Sequence, residues 1–177
     1  MTALPGKRAV GPIEADGVAL RLLEAGDLPM TLAWRNEDHI RQWFFASQVI
    51  APEQHWVWWE RYRTRDDDFV FIIEETVTLK RPVGQVALYN IDWSRRRAEF
   101  GRLLIGDNDA RGLGLGRLAC ASLVEFGFAQ WDLREIYLEV LANNLPAIAI
   151  YRDCGFSETH RLADRIVMTK RRTPSLP

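Results

Sequence analysis

Glu99-Phe-Gly-Arg-Leu-Leu-Ile-Gly-Asp-Asn-Asp-Ala-Arg-Gly-Leu-Gly-Leu-Gly-Arg-Leu-Ala119 carries an apolar strand into a glycine-rich turn that opens directly into a helix. Aromatic and branched residues from Ala98 to Ile105 have strand density, and Leu115 to Gln130 has helical length without proline, so the glycines stand at a strand-to-helix junction. Gly112, Gly114 and Gly116 lack Cβ atoms. They can therefore adopt positive φ and let several backbone N–H groups converge at the positive end of the following helix. The pattern predicts a cradle for a phosphate or pyrophosphate.

Two common phosphate loops do not fit these residues. A Walker A loop requires G-x-x-x-x-G-K-[ST], and here Asp107 stands where the first glycine would be and Leu113 where the lysine would be. A dinucleotide fingerprint requires G-x-G-x-x-G near the start of a βαβ unit, whereas these glycines repeat as Gly112-x-Gly114-x-Gly116 and their strand lies deep in the chain. What the segment spells is Arg111-Gly-Leu-Gly114-Leu-Gly116, an R-x-x-G-x-G pattern.

The surrounding chain has the dimensions of one globular domain, with 177 residues and 47% hydrophobic content, against roughly 100–200 residues for a typical domain. Its formal charge of −1 supplies no basic field for nucleic acid or an anionic membrane. No run approaches the ~18 apolar residues of a membrane helix, and Met1 to Val10 lacks the apolar core of a signal peptide, so a cytoplasmic protein is expected. Cys120 and Cys154 make no metal-ligand spacing. They read as reduced, buried thiols, and no metal is expected.

Residues 1–16 mix Pro5, Gly6, Gly11 and Pro12 with charges and read as a flexible leader, residues 171–177 as a tail, and 17–170 as the single domain. Val18 to Leu23 reads as a strand, and Asp27 with Pro29 marks a helix running to Asn36. A second helical piece covers Asp38 to Phe45, and a third, opened by Pro52, runs to Arg63. Asp68–Glu74 and Pro82–Asn90 are apolar, branched and aromatic runs that predict an antiparallel pair. After the loop, the helix from Leu115 keeps only Arg117, Ala121 and Glu125 as a wet stripe and should pack broadly on the sheet. Glu135–Val140 reads as a strand, Pro146–Cys154 as a short helix closed by Gly155, and Gly155–Arg161 with Asp164–Lys170 as a last pair of strands.

A second motif follows at the right distance: Leu138-Glu-Val-Leu-Ala-Asn-Asn144-Leu-Pro-Ala147-Ile-Ala-Ile-Tyr151-Arg-Asp-Cys-Gly155-Phe156. With the glycine loop and the element order, this block resembles the GCN5-related N-acetyltransferases (GNAT). The resemblance is strong over Glu99 to Phe156 and looser before it. It implies an α/β (α+β) fold with a mixed, splayed sheet of about six to seven strands flanked by about four helices. It also implies acetyl-CoA as co-substrate, a small-molecule amine as acceptor, and a possible homodimer.

Carried over residue by residue, the resemblance makes the backbone of Leu104, Ile105 and Gly106 the seat of the pantetheine arm. The loop donors are then Arg111, Gly112, Leu113, Gly114, Leu115, Gly116 and Arg117. Asn108 stands where family members often carry proline, which concerns loop stiffness more than chemistry. Asn144 matches the amide that helps hold the cofactor arm, and equally reads as a helix N-cap with Pro146 just inside the helix. Tyr151 matches the tyrosine that protonates the leaving thiolate, and a phenol with pKa near 10 suits that task. Direct transfer also needs a proton acceptor for the attacking amine. Glu99 and Glu139 both qualify by position, and Glu139 also reads as a solvated strand position. Polarising the thioester carbonyl would fall to a backbone N–H at the splay.

The early helices choose the acceptor in this family. Ala33-Trp-Arg-Asn-Glu-Asp-His-Ile-Arg-Gln-Trp-Phe-Phe45 and Pro52-Glu-Gln-His-Trp-Val-Trp-Trp59 resemble the branch acting on nucleotide-linked amino sugars, and more distantly those acting on aminoglycosides, polyamines and ribosomal protein N-termini. Trp34, Arg35, Trp43 and His55 are the pocket candidates, with core packing the competing reading for the tryptophans. The expected activity is acetyl transfer to a primary amine, first of all a nucleotide-linked amino sugar. The alternatives are an aminoglycoside, a polyamine, a protein N-terminus, or a non-catalytic CoA-binding module.

Overall fold

The structure of the protein, a computed structural model, describes residues 6–173. Its elements are β1 (Ile13–Ala15), β2 (Val18–Leu22), α1 (Leu28–Asn36), α2 (Asp38–Arg41), α3 (Pro52–Tyr62), β3 (Asp68–Glu75), β4 (Arg81–Asp92), β5 (Arg97–Ile105), α4 (Leu115–Ala129), β6 (Glu135–Leu141), α5 (Leu145–Asp153), β7 (Ser157–Arg161) and β8 (Arg165–Arg171). One sheet has the order β1-β2-β3-β4-β5-β6-β8-β7. Every pair is antiparallel except β5 with β6, which α4 joins as a crossover.

The central strand explains the layering. In β3, Phe69, Phe71 and Ile73 face a core shared with α4, while Val70 and Ile72 face Leu23, Trp59 and Tyr62 on the opposite side. Side chains alternate along a strand, so an apolar run lets β3 bury both faces. On α4, Leu115, Ala119, Cys120, Leu123, Val124 and Phe128 are buried, and Arg117, Ala121 and Glu125 stay exposed as the spacing predicts.

The parallel join is short. Only Arg97, Ala98 and Glu99 pair with Glu135, Ile136 and Tyr137. Beyond them β5 continues along β4 and β6 along β8, so the two strands part and leave a wedge. A register shift where Gly101 opposes Ala87 and Leu104 opposes Gln85 inserts one extra residue on β5, and Arg102 there takes φ +53°. A bulge bends the strand that carries it, which is the physical cause of the parting.

Eight strands and five helices are present among the described residues, against the expected six to seven and about four. The second helical piece expected from Asp38 to Phe45 is present as α2, a single turn that stops at Arg41 before residues 42–47 continue as irregular turns. The extra strand is β1, inside the expected leader. Gly17 with φ +86° folds Ile13–Ala15 back onto β2. Lys7 is buried over the rings of Tyr62 and Phe69 and donates to the Asp68 carbonyl, while Arg8 pairs with Asp66 at 2.8 Å. Residues 6–16 are therefore built into the domain, and the first five residues of the expected leader lie outside the described residues. The expected tail begins inside β8 at Arg171, and residues 174–177 lie outside the described residues. No helix among the described residues is long and apolar enough to cross a membrane.

Candidate active site

The wedge between β5 and β6 is a cleft of about 330 Å³. Its sides are Leu103, Leu104 and Ile105 on β5, Glu139 and Val140 on β6, and Asn144, Ala147 and Tyr151 on or at α5. Leu104 and Ile105 pair with Gln85 and Gly84 on one edge only, so their backbone edge toward β6 has no partner strand. An extended amide chain can pair there as a strand would. Gly106 departs from the expectation of free backbone groups, because its N–H donates to the Val83 carbonyl at 2.8 Å. Its lack of a side chain serves packing instead. A Cβ there would lie 2.0 Å from Cγ of Trp34.

The glycine loop joins this cleft at its end. Gly112 and Gly114 take φ of +76° and +75°, and Gly116, helical, lines the cleft beneath Ile150. Among the described residues the N–H groups of residues 112–116 donate to no backbone carbonyl, whereas Arg117 and Leu118 return to the Gly114 carbonyl. No side chain caps α4. The first turn thus presents unsatisfied donors and the positive end of a 15-residue helix dipole. This geometry fits a pyrophosphate. Arg111 faces elsewhere: it bonds His39 Nε2 and lies 3.8 Å from Glu37, which ties the loop to the corner between α1 and α2. Leu113 is exposed at the tip, and Arg117 is exposed on α4.

Tyr151 is 8% exposed, its ring held edge-on by Phe100 and Phe156. Burial pushes its hydroxyl well above the ordinary phenol range, so it holds its proton at neutral pH. Asn144 caps α5, its side chain accepting from the Ala147 N–H at 3.3 Å. That bond uses the amide oxygen and leaves the NH₂ without a partner among the described residues.

The two glutamates separate. Glu139 lines the cleft, and its carboxylate is held by Arg165 at 3.0 Å, with the same guanidinium over Phe45. Glu99 does not line the cleft and sits behind Tyr89, its partner across the β4–β5 pair. It accepts from Tyr89 Oη at 2.8 Å, Asn90 Nδ2 at 2.8 Å and Tyr137 Oη at 3.2 Å. Tyr89 itself lines the cleft.

A second cavity, of about 310 Å³, lies between α1, α3 and the sheet. Arg35 and His55 stand in its wall, with Trp58, Gln54, Gln85 and Arg102. Phe44 and Arg102 line both cavities, which makes them the shared wall. His55 stacks on Trp58 at 5.2 Å between centroids and lies 3.4 Å from Thr31 Oγ1. Burial lowers its pKa below the usual histidine value, so it is neutral at pH 7. Trp34 and Trp43 do not line this cavity. Trp34 is core, packed with Ile40 and Leu104 against Gly106, because α1 turns its indole toward the end of β5. Trp43 lies over the cleft between β5 and β6 instead, carried there by the irregular turns after α2.

Sequence reading missed Tyr89, Arg102 and Trp58. Tyr89 stands opposite Glu99 in the β4–β5 register, a signal visible only once the pairing is known. Arg102 is positioned by the bulge and by the buried carboxylate of Asp68, at 2.6 and 3.1 Å. No group of three or more His, Cys, Asp or Glu among the described residues is arranged to hold a metal ion.

A family model described as an acetyltransferase (GNAT) domain matches residues 18–157. The chain is 25% identical over 154 residues to the spermidine N(1)-acetyltransferase of Vibrio cholerae, covering 87% of each. It is 28% identical over 159 residues to an aminoglycoside N(6′)-acetyltransferase of Klebsiella pneumoniae, covering 80% of this chain and 74% of the relative. Its fold superposes on the crystal structure of the Vibrio cholerae spermidine N-acetyltransferase in complex with CoA and spermine, with a TM-score of 0.81, 24% identity, and coverage of 89% and 96% of the two chains. With the matched domain extending from β2 to the start of β7 and containing both the glycine loop and the Asn144–Tyr151 block, the chain belongs to the GNAT acetyltransferase family and is an N-acetyltransferase.

Proposed function

We infer that this enzyme moves an acetyl group directly from acetyl-CoA to a primary amine seated in the cavity between α1 and α3. The single observation that carries the reading is the shared wall: a cleft suited to the cofactor arm and a cavity suited to a small molecule meet at Phe44 and Arg102. The donors of residues 112–116 hold the pyrophosphate, and the open edge of Leu104 and Ile105 pairs with the pantetheine amides. Tyr151 gives its proton to the departing thiolate.

The attacking ammonium must lose a proton first. Tyr89 Oη accepts it while passing its own hydroxyl proton along the existing hydrogen bond to Glu99, so the proton ends on Glu99, which becomes a neutral carboxylic acid while Tyr89 is restored. Glu139, already neutralised by Arg165, orders the cleft wall.

An amino sugar remains the first acceptor class. It is supported by the flat indole of Trp58 beside Thr31, Gln54 and Gln85, a wall that suits a hydroxylated ring. The polyamine reading is favoured by the relatives named for spermidine. A cytoplasmic location is supported by the two buried free thiols, Cys120 and Cys154, and a homodimer remains the expected assembly. The test is acetyl-CoA-dependent thiol release with amino sugars, aminoglycosides, polyamines and peptides. Release with an amine and not without one supports the reading, and failure to bind acetyl-CoA in calorimetry overturns it.

A further inference from the structure

The wall of the acceptor cavity contains two guanidinium groups and no carboxylate: Arg35 and Arg102 stand there with the neutral His55. Arg102 is already matched by Asp68. Arg35 is not matched. One of its Nη2 hydrogens goes to the Ala46 carbonyl and its face lies over Phe44 at 3.9 Å, while Nη1 is buried and has no hydrogen-bond partner among the described residues. Nor does Arg35 have a carboxylate partner among them, and burial, with the positive charge of Arg41 adding to it, lowers its pKa. A buried guanidinium N–H without an acceptor is costly, and native structures rarely leave one so.

We propose that the acceptor amine carries an anionic group, a carboxylate or a phosphate, which Arg35 binds within the cavity. Guanidinium matches both groups in shape and charge, and an anion in the cavity supplies the counter-charge that Arg35 lacks among the described residues. The opposite charge type fits badly. A polyamine is a polycation at neutral pH, and this wall offers it no carboxylate and one uncompensated positive charge. The same positive wall assists the chemistry, since a cation beside an ammonium lowers its pKa and favours the neutral nucleophile. The inference rests on the acceptor cavity of the proposed reaction and specifies what that cavity selects.

Two measurements test it. In the first, kcat/KM is compared for glucosamine, glucosamine 6-phosphate, muramic acid and spermidine with the wild type and Arg35→Gln. One of the anionic amines should exceed glucosamine by tenfold or more, phosphate and carboxylate being distinguished by which does so. Arg35→Gln should lower that value by about 10–100-fold and change glucosamine by less than about threefold. Preference for spermidine or glucosamine, or an equal loss for charged and neutral acceptors, overturns the proposal while leaving the transferase reading intact. In the second, inorganic phosphate and malonate are titrated while the Arg35 side-chain NMR resonance, identified by its loss in Arg35→Gln, is followed. A saturable shift with one of them supports the proposal even where no tested amine turns over, and no shift with either anion overturns it. Failure of the transferase reading is recognised separately, by absent acetyl-CoA binding.

Discussion

Tyr89 donates its hydroxyl to Glu99 across the β4–β5 pair at 2.8 Å, so a carboxylate that does not itself reach the cleft is joined to it through one side chain. Asn90 and Tyr137 satisfy the other carboxylate oxygen and fix its orientation. Glu139 has the opposite arrangement, facing the cleft but paired with Arg165.

The first prediction follows from that contrast. Tyr89→Phe and Glu99→Gln should each lower kcat by about 10²-fold, within the usual range for removing an acid–base group, and Glu139→Gln should change it only a few-fold. In the wild type the rate rises with pH as the amine gives up its proton. Without the internal acceptor that rise should move to higher pH in Glu99→Gln. Steady-state pH profiles check this, and a larger loss in Glu139→Gln than in Glu99→Gln would reverse the assignment.

Tyr151 has no hydrogen-bond partner among the described residues, and Phe100 and Phe156 fix its ring without using its hydroxyl. Tyr151→Phe should therefore fold normally, bind acetyl-CoA with unchanged affinity in calorimetry, and lose about 10–100-fold in kcat. Burial raises the Tyr151 pKa, so the wild-type rate should show no loss of this proton below about pH 10. Unchanged turnover would remove Tyr151 from the reaction.

At Gly114 the constraint is conformational. A Cβ would meet nothing within 4 Å, yet φ is +75°. Gly114→Val should weaken acetyl-CoA binding by about tenfold, the equivalent of the 1–2 kcal/mol strain of a left-handed residue. Gly114→Asn, which tolerates that region, should keep most of the affinity. Equal losses in both would assign the effect to space instead.

Lys7 supplies a pH prediction for stability. Burial lowers its pKa from 10.5 to about 8, against the opposing pull of Asp68 and Asp66. Between about pH 8 and 10.5 the unfolded chain binds more protons at this residue than the folded one, so wild-type stability should rise with pH relative to Lys7→Met. The gain should be about 1–2 kcal/mol after allowance for solvent screening. Urea denaturation of both proteins at pH 7, 8.5 and 10 checks it, and parallel curves would refute it.

Much of the cofactor end was legible in the chain because its instructions are local. Gly112 and Gly114 announce positive φ, Pro146 and Asn144 announce a capped helix start, and the periodicity of Leu115 to Ala129 announces which face of α4 is wet. These features depend on residues a few positions apart, so spacing alone encodes them. The strand β1 was missed although Gly17 marks its turn, because three residues carry too little pattern.

What the sequence by itself determined is therefore the family, the order of its main elements and the left-handed glycine turn that opens α4. Only the tertiary structure decided which glutamate is coupled to the cleft, which tryptophans are core, and what charge lines the cavity between α1 and α3. Those outcomes depend on contacts between distant segments: the pairing of Tyr89 with Glu99, the bulge that aims Arg102 at Asp68, and the turn of α1 that sends Trp34 against Gly106 and leaves Arg35 in the cavity. A shift of one residue in strand pairing exchanges the faces of every side chain on that strand, and no local pattern fixes the pairing in advance.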